Sequence, residues 1–381
     1  MHRKYLVGPF ICTLACWTLG NGLMPLLPLY AIDRGASQTV SGLFFAFTFL
    51  CLALGTMTAG TLSKALGQRK LLLIASGVPI VVLTWLGGLV ANVLQLAVVT
   101  GVSWFFAGVV FVQSATLAGL AAEPKDRGTA LGILGMTGGL GGLIGGLGVG
   151  YLADRFGYRI VFESLAVFCI LVVIGGLISV DPLVSSAPVT PSKAAAGGRK
   201  PGGLLILLVV AQMLAGVANA TSVLGRSFSM NAGGYSKSTI TLTASIQGLV
   251  SLCFPLILGW LSDRIGRRRI MLVSFAATSA SLLLLAFSRS TWQFFTFAIL
   301  NAFIGVSWAV GPAFVVDIVP PGNVEKGVSL FQSMFWIGNI AGMACVGYAF
   351  EKLGITMPVL ASCLFPIAGL TLLLLAKKKP S

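Results

Sequence analysis

Charged residues are scarce in this chain: Asp, Glu, Lys and Arg make up 9% of its 381 residues, and ten of them are acids. A soluble domain carries about 25% charged residues. Hydrophobic residues reach 56%, and the mean hydropathy is +0.97. A chain of this composition could not cover a water-facing surface, so we expect lipid to be its main solvent.

Chemically reactive side chains are also few. The single histidine, His2, is terminal and excludes a histidine-based metal site or relay. The cysteines lie in apolar runs without a CxxC pair and are interpreted as buried thiols. No Walker loop occurs, which excludes direct use of ATP, and no cluster of nucleophiles, carboxylates or histidines indicates an enzyme. We expect no cofactor and no metal.

Twelve apolar runs, each long enough to span a bilayer, dominate the sequence. They cover approximately 6–31, 39–62, 71–90, 94–121, 130–152, 160–180, 204–228, 238–262, 270–287, 292–317, 327–350 and 356–375. The first run continues for about 25 residues without a small-residue cleavage site, so we interpret it as a membrane helix rather than a signal peptide.

A polar segment divides these runs into six plus six. Residues 181–203 are rich in Pro, Ser, Ala and Gly, a composition typical of a flexible linker. We therefore predict an N-terminal six-helix bundle at 1–180, a cytoplasmic linker at 181–203 and a C-terminal six-helix bundle at 204–381.

The basic residues predict the orientation of the chain. With the N-terminus inside, the inner segments hold eighteen Lys and Arg residues and the outer loops hold six. This positive-inside bias predicts that both termini are cytoplasmic. It also explains the net charge of +15 without nucleic acid, because no basic stripe with interleaved aromatic residues appears on a polar segment.

Two similar turns lie 199 positions apart. Residues 259–269 read GWLSDRIGRRR, and residues 60–70 read GTLSKALGQRK. Residues 150–157 and 347–354 form a second matching pair, offset by 197. Six crossings is an even number, so the two copies have the same orientation in the membrane. This predicts parallel repeats related by an axis along the membrane normal.

These features resemble the major facilitator superfamily, whose cytoplasmic signature runs roughly G-x-L-x-D-R-x-G-R-R. Residues 259–269 fit it almost completely, whereas the first copy has Lys64 and Ala65 in the Asp and Arg places. Residues 123–128 resemble the family's turn into its fifth helix. The resemblance implies an all-α integral membrane protein with two six-helix bundles related by a pseudo-two-fold axis along the membrane normal. It also implies a secondary transporter that works by alternating access.

Asp263 gives the signature a physical role. A carboxylate at a helix end can accept hydrogen bonds from an arginine and from the free N–H groups of a neighbouring helix start. Such contacts could latch the outward-open state, and the resemblance implies residues 128–130 as the partner. The alternative is a solvated anchor for the basic turn. The gating residues are predicted to be Gly259, Asp263, Arg264, Gly266, Arg267, Arg268, Gly60, Gly67 and Arg69.

Polar residues inside the apolar runs are the candidates for substrate binding, because polar groups in a membrane are costly and usually face the interior. The resemblance implies that the first, fourth, seventh and tenth runs line a cavity. The candidates are Trp17, Asn21, Gln113, Asn219, Arg226, Gln247, Asn301, Trp308, Gln332 and Trp336. The alternatives are amides that bridge helices, interfacial tryptophans, and an Arg226 that snorkels to the outer surface.

Residues 135–150 are dense in glycine. They either pack closely against other helices or, with Gly142 in the proline place, loosely resemble the family's antiporter motif G-P-x-x-G-G. The family's fourth-helix arginine is replaced by Trp104, which weakens an assignment to proton antiport. The nearest acids for a proton site are Glu163, Asp317 and Asp33. Proton coupling is therefore expected from the resemblance alone.

The function we expect is export of small, drug-like or amphipathic molecules across the cell membrane. We expect the transporter to be a monomer, and coupling of export to a proton is left open. Arg226 motivates an alternative, an importer of a small polar or anionic nutrient. A transport-inactive membrane sensor is a second alternative.

Overall fold

The computed structural model describes residues 4–122, 127–180, 203–320 and 324–375, and within these ranges it is helical without a β-strand. In chain order the helices are α1 (Lys4–Leu23), α2 (Leu27–Asp33), α3 (Gln38–Leu66), α4 (Arg69–Gly87), α5 (Val93–Ala121), α6 (Arg127–Ile178), α7 (Gly203–Ala232), α8 (Lys237–Ile265), α9 (Arg267–Phe287), α10 (Thr291–Asn301), α11 (Val306–Ile318), α12 (Val324–Leu353), α13 (Thr356–Ser362) and α14 (Leu364–Leu375). Except for Gly203, the predicted linker lies outside the described residues.

Ten helical segments in the described ranges are long and apolar enough to cross a membrane, and a bent pair in α8 raises the number to eleven. One segment, Thr129–Ile178, is 50 residues long and covers two predicted runs. It is broken at Gly157, whose φ of 77° and ψ of 176° are not helical. The prediction of an all-helical, multi-pass membrane protein is confirmed.

Large apolar side chains cover much of the helix surfaces. Met57 is 77% exposed, Leu94 is 72% exposed, and Val167 is 67% exposed. Soluble proteins rarely leave large contiguous apolar patches exposed to water. In a membrane these side chains lie against lipid, which removes that penalty.

The chain divides into two compact units. The first consists of Met1–Leu183 and Arg226–Leu252, and the second of Val184–Gly225 and Cys253–Ser381. The first unit therefore includes the end of α7 and the first half of α8. In the second unit, an apolar core joins α7, α9, α11 and α12 around buried side chains such as Phe275, Val315 and Phe331.

The internal repeat is visible in the backbone. Among the described residues, six glycines have positive φ, and they form three pairs at matching places in the two copies. The pairs are Gly35 with Gly234, Gly67 with Gly266, and Gly157 with Gly354. Residues with a Cβ rarely adopt this conformation, so glycine at each place allows a tight turn between helices.

Glycines also allow helix backbones to approach closely in both copies of the repeat. In the first unit, a Cβ on Gly145 of α6 would lie 2.6 Å from the carbonyl oxygen of Thr18 in α1. In the second unit, a Cβ on Gly338 of α12 would lie 1.9 Å from the carbonyl oxygen of Met213 in α7. In the membrane, where lipid tails are as apolar as the helices, such close packing drives helix association.

Gly338→Ala is expected to destabilise the protein, because the new methyl group would collide with the backbone of α7. Overpacking of this kind reduces stability by about 1–3 kcal/mol. The measurement is the thermal unfolding midpoint of the purified variant in detergent. Gly305→Ala is the matched control in the same unit, because no atom lies within 4 Å of its added Cβ. If the two variants unfold at the same temperature, the close α7–α12 contact is wrong.

Candidate functional site

The turn between α8 and α9 carries the best match to the family signature. Gly266 makes this turn with φ of 97° and ψ of 133°, and α9 begins at Arg267. The Asp263 side chain is 69% exposed, and its Oδ1 lies 3.5 Å from Nη2 of Arg267. Nε of the same arginine lies 3.2 Å from Oδ2 of Asp317, near the end of α11. One arginine therefore contacts two carboxylates.

Two further arginines of this turn have local contacts. Arg268 donates through Nη2 to the carbonyl oxygens of Leu373 and Leu374 at the end of α14, the second at 3.0 Å. These bonds satisfy acceptors that a helix end leaves unpaired. The guanidinium carbon of Arg264 lies 3.9 Å from the ring centroid of Trp260, a cation–π contact.

The first copy of the turn has the same backbone and different charges. Gly60 lies within α3, Gly67 ends that helix with φ of 70°, and Arg69 begins α4. Gly259 occupies the corresponding place within α8. Lys64 replaces the aspartate, so this copy has no carboxylate that could act as a latch.

Three predicted substrate residues lie in α1 and α5. Asn21 donates from Nδ2 to the carbonyl oxygen of Gly138 at 3.0 Å. Gln113 is buried and donates from Nε2 to the carbonyl oxygen of Ala59 at 2.9 Å. Trp17 is half-buried, and its ring centroid lies 4.7 Å from an aromatic ring of α5. Both amides therefore connect helices, and their part in substrate binding stays a prediction.

Hydrogen bonds between polar side chains also join helices in the second unit. Asn219 of α7 donates from Nδ2 to Oδ1 of Asn339 in α12 at 3.0 Å. Gln212 of α7 donates from Nε2 to Oγ of Ser307 in α11 at 3.3 Å. Asn301, at the end of α10, is buried and its Oδ1 has no hydrogen-bond partner within the described ranges.

Three further aromatic and amide candidates are on α11 and α12. Gln332 and Trp336 are half-buried, one helical turn apart. The ring of Trp336 contacts Phe335 at a centroid distance of 5.6 Å. The side chain of Trp308 lies outside the described part of the chain.

Arg226 is buried near the end of α7, where 4% of its surface is exposed. This burial does not fit a side chain that snorkels to the outer surface. Its Nη1 lies 3.4 Å from Oε1 of Gln247 in α8, and its Nε has no partner among the described residues. The structure thus brings together two residues that were predicted separately as substrate ligands.

The three acids considered for proton transfer lie at helix ends or in ion pairs. Asp33 is the last residue of α2 and is exposed. Oε1 of Glu163 lies 2.8 Å from Nε of Arg159, one turn earlier in α6. Asp317 pairs with Arg267 as described above. A proton-carrying role for any of them stays a prediction.

The glycine-dense part of α6 has two contact faces. One face, with Gly141 and Gly145, packs against α1. The other face packs against the first half of α8 in what we call the α6–α8 seam. The seam consists of Gly139, Gly142, Gly146 and Gly150 of α6 with Ser238, Thr241, Ser245 and Gly248 of α8. Ser245 adds a hydrogen bond from Oγ to the carbonyl oxygen of Leu143 at 3.1 Å.

An exposed carboxylate closes the seam at the start of α8. Oδ1 of Asp154 accepts from the backbone N–H of Lys237 at 2.9 Å, and Oδ2 accepts from the N–H of Ser238 at 2.8 Å and from its hydroxyl. The Lys237 ammonium lies 4.2 Å from the centroid of the Tyr158 ring. Asp154 thus caps the N-terminus of α8 from a different helix, where its charge also complements the helix dipole.

The sequence did not single out Asp154, although one signal was available. Asp154 lies in the repeated segment 150–157, and the corresponding position in the second copy is Glu351. An acid at matching places in both copies of a short turn indicates a shared role. The partner of that acid is set by tertiary packing, which a repeat alone does not give.

An all-helical chain of ten or more apolar spans, with a duplicated signature turn, defines a secondary membrane transporter. The profile of the Major Facilitator Superfamily matches residues 9–224 and again 202–381. The chain belongs to this family, which confirms the predicted fold class. It is a multi-pass membrane protein of a non-enzymatic family whose members bind small-molecule substrates.

Similar proteins are named for multidrug resistance. The chain is 28% identical over 352 residues to the multidrug resistance protein MdtG of Citrobacter koseri, covering 87% of this chain and 85% of that protein. It is 28% identical over 354 residues to MdtG of Dickeya zeae, with the same coverage. The crystal structure of the nucleoside transporter NupG matches 100% of both chains with a TM-score of 0.77 at 15% identity, which supports the fold alone.

Proposed function

We propose that this protein exports small amphipathic molecules across the cell membrane by alternating access. The observation that carries the proposal is the α6–α8 seam, a surface of glycines and hydroxyls that is closed at its end by exposed hydrogen bonds. Apart from Leu252, which packs against Gly139, the contacts of these glycines in α8 are backbone atoms and hydroxyl side chains, so the surface can separate with little loss of apolar packing. The MdtG relatives, named for multidrug resistance, support export as the direction of transport.

The orientation and moving parts belong to the same proposal. Both termini are cytoplasmic, and a monomer suffices. Bundles at 1–180 and 204–381, joined by the linker at 181–203, move about the substrate path. A proton is the proposed coupling ion. Asp263, exposed in this structure, binds the start of α6 in the other conformation.

The direct test is transport by purified protein in phosphatidylcholine liposomes. A panel of radiolabelled amphipathic compounds is loaded, and counterflow and net export are measured with and without a pH gradient. Export that a proton gradient accelerates supports antiport. Accumulation of small polar nutrients without export of amphiphiles would favour an importer, and absence of flux for every compound would favour a sensor.

Asp263→Asn is expected to lower the rate of export about tenfold, because the uncharged side chain weakens the inner latch by ~1.4 kcal/mol. The thermal unfolding midpoint should stay close to that of the wild type, since the carboxylate is exposed in this structure. The measurement is initial export from proteoliposomes.

Lys64→Asn is the matched control for this substitution. It changes the equivalent position of the first copy, 199 residues earlier, where no carboxylate is present. We expect it to export at the wild-type rate. Equal rates for the Asp263 variant and this control would mean that Asp263 only balances the charge of the basic turn.

A further inference from the structure

We propose that Arg226 and Gln247 form a subsite for an anionic group of the transported molecule, such as a carboxylate, sulfonate or phosphonate. This inference rests on the proposed function and specifies its substrate class: amphipathic molecules with an acidic head. It starts from the contacts of a single buried cation.

The charge of Arg226 is not compensated within the described residues. The side chain is at least nine-tenths buried, and Glu163, Asp263 and Asp317 form their ion pairs with other arginines. Its contact with Gln247 is long, at 3.4 Å, and the acceptor is a neutral amide. Nε has no partner. A guanidinium has five N–H donors and remains protonated in proteins, so this site has donors to spare.

A buried charge without a counter-charge is unfavourable, and ionisable groups within membrane spans usually serve function. The planar fork of arginine fits two oxygens of a carboxylate or phosphonate side by side. An anion would replace a weak amide acceptor with a charge-assisted pair. The same geometry gives a cation or a neutral molecule no comparable gain.

Gln247 connects this arginine to the part of α8 that packs on α6. Gly248, the residue after Gln247, packs against Gly142 of α6. Nδ2 of Asn21 lies 3.6 Å from the position that a Cβ on Gly142 would occupy. The residue that contacts Arg226 is therefore adjacent in sequence to the α6–α8 seam, and all these residues belong to the first unit. Because Arg226 is covered in this structure, the ligand reaches it in a conformation that opens this region.

The test compares ligands that share a ten-carbon chain and differ in the head group. Decylphosphonate, decyltrimethylammonium and decyl glucoside are titrated against wild type, Arg226→Gln and Arg226→Lys in a neutral detergent. Lys352→Gln is the control, since it removes the same charge from an exposed position. Export of the same compounds is measured in phosphatidylcholine liposomes.

We expect wild type and the Lys352 control to prefer the phosphonate over the cation at least tenfold. Arg226→Gln should lose about tenfold in phosphonate affinity and keep the glucoside affinity, while Arg226→Lys falls between because it keeps the charge without the fork. The ligand-free Gln variant should unfold at the same temperature or higher, because an uncompensated charge has been removed.

Several results would overturn the subsite. If phosphonate affinity is the same in wild type and Arg226→Gln, the guanidinium does not bind the head group. If the Gln variant unfolds well below wild type and phosphonate does not stabilise wild type, Arg226 is structural. Loss of phosphonate binding on adding phosphatidylglycerol would assign the site to a lipid head group. If wild type exports none of the three compounds, the proposed function fails instead.

Discussion

Asp154→Ala is expected to open the outer end of the α6–α8 seam and to raise the exposure of residue 241 about tenfold. The alanine removes every hydrogen bond that Asp154 makes to Lys237 and Ser238. Loss of a helix N-cap reduces stability by about 0.5–2 kcal/mol. We expect the free energy that favours the closed seam over the open one to decrease by a similar amount. Thr241 is fully buried in this seam and reports directly on its opening.

The measurement is the rate at which Thr241→Cys reacts with a membrane-impermeant maleimide in intact cells. The exposed native thiols, Cys253 and Cys345, are first replaced by serine. Arg155→Gln is the control, since it changes a charge on the adjacent exposed residue. Asp154→Asn should give an intermediate rate because one acceptor oxygen remains. A wild-type rate in the alanine variant would show that Asp154 does not hold the seam closed.

Gly146→Leu is expected to abolish export while leaving a folded protein. A Cβ at this position would lie 2.6 Å from the carbonyl oxygen of Thr241 and 2.7 Å from the backbone nitrogen of Ser245. Neither backbone atom can move without shifting α8. Overpacking by about 1–3 kcal/mol corresponds to a decrease in the equilibrium constant for closing the seam of roughly 5-fold to 150-fold. Export from proteoliposomes and labelling at position 241 are measured together.

The control for this prediction is two residues away. Gly148 is exposed, and a Cβ added there would meet no atom within 4 Å. Gly148→Leu should therefore export like the wild type and label slowly at position 241. If both leucine variants export equally well, closure of the seam is not a step of the transport cycle. If only labelling changes, the seam opens without limiting the rate.

The turns of this fold were predictable because their chemistry is local. Gly67 and Gly266 punctuate the two copies of the basic motif, and both have positive φ as such turns require. The predicted fifth and sixth runs were separated at the right place, although the structure joins them through one broken helix at Gly157. Length and composition sufficed for the membrane spans, since the bilayer fixes both.

The partners of the polar residues were not predictable from the sequence. Asn219 was expected as a polar residue inside an apolar run, but its hydrogen bond to Asn339 depends on how α7 packs against α12. Gln113 could not be placed against the Ala59 carbonyl for the same reason. Long-range pairing is set by which helix faces meet, and amphipathicity gives little guidance when lipid and protein interior are equally apolar.

The bare glycine face of α6 has a consequence for the speed of transport. Four of its contact positions have no side chain, so separating and rejoining this face from α8 freezes or releases no rotamers of α6 at these positions. The entropy change on opening and closing the seam then comes mainly from the side chains of α8 and from Asp154 at the start of that helix. Substitutions that enlarge this face should slow exchange between conformations even where they leave the resting populations unchanged.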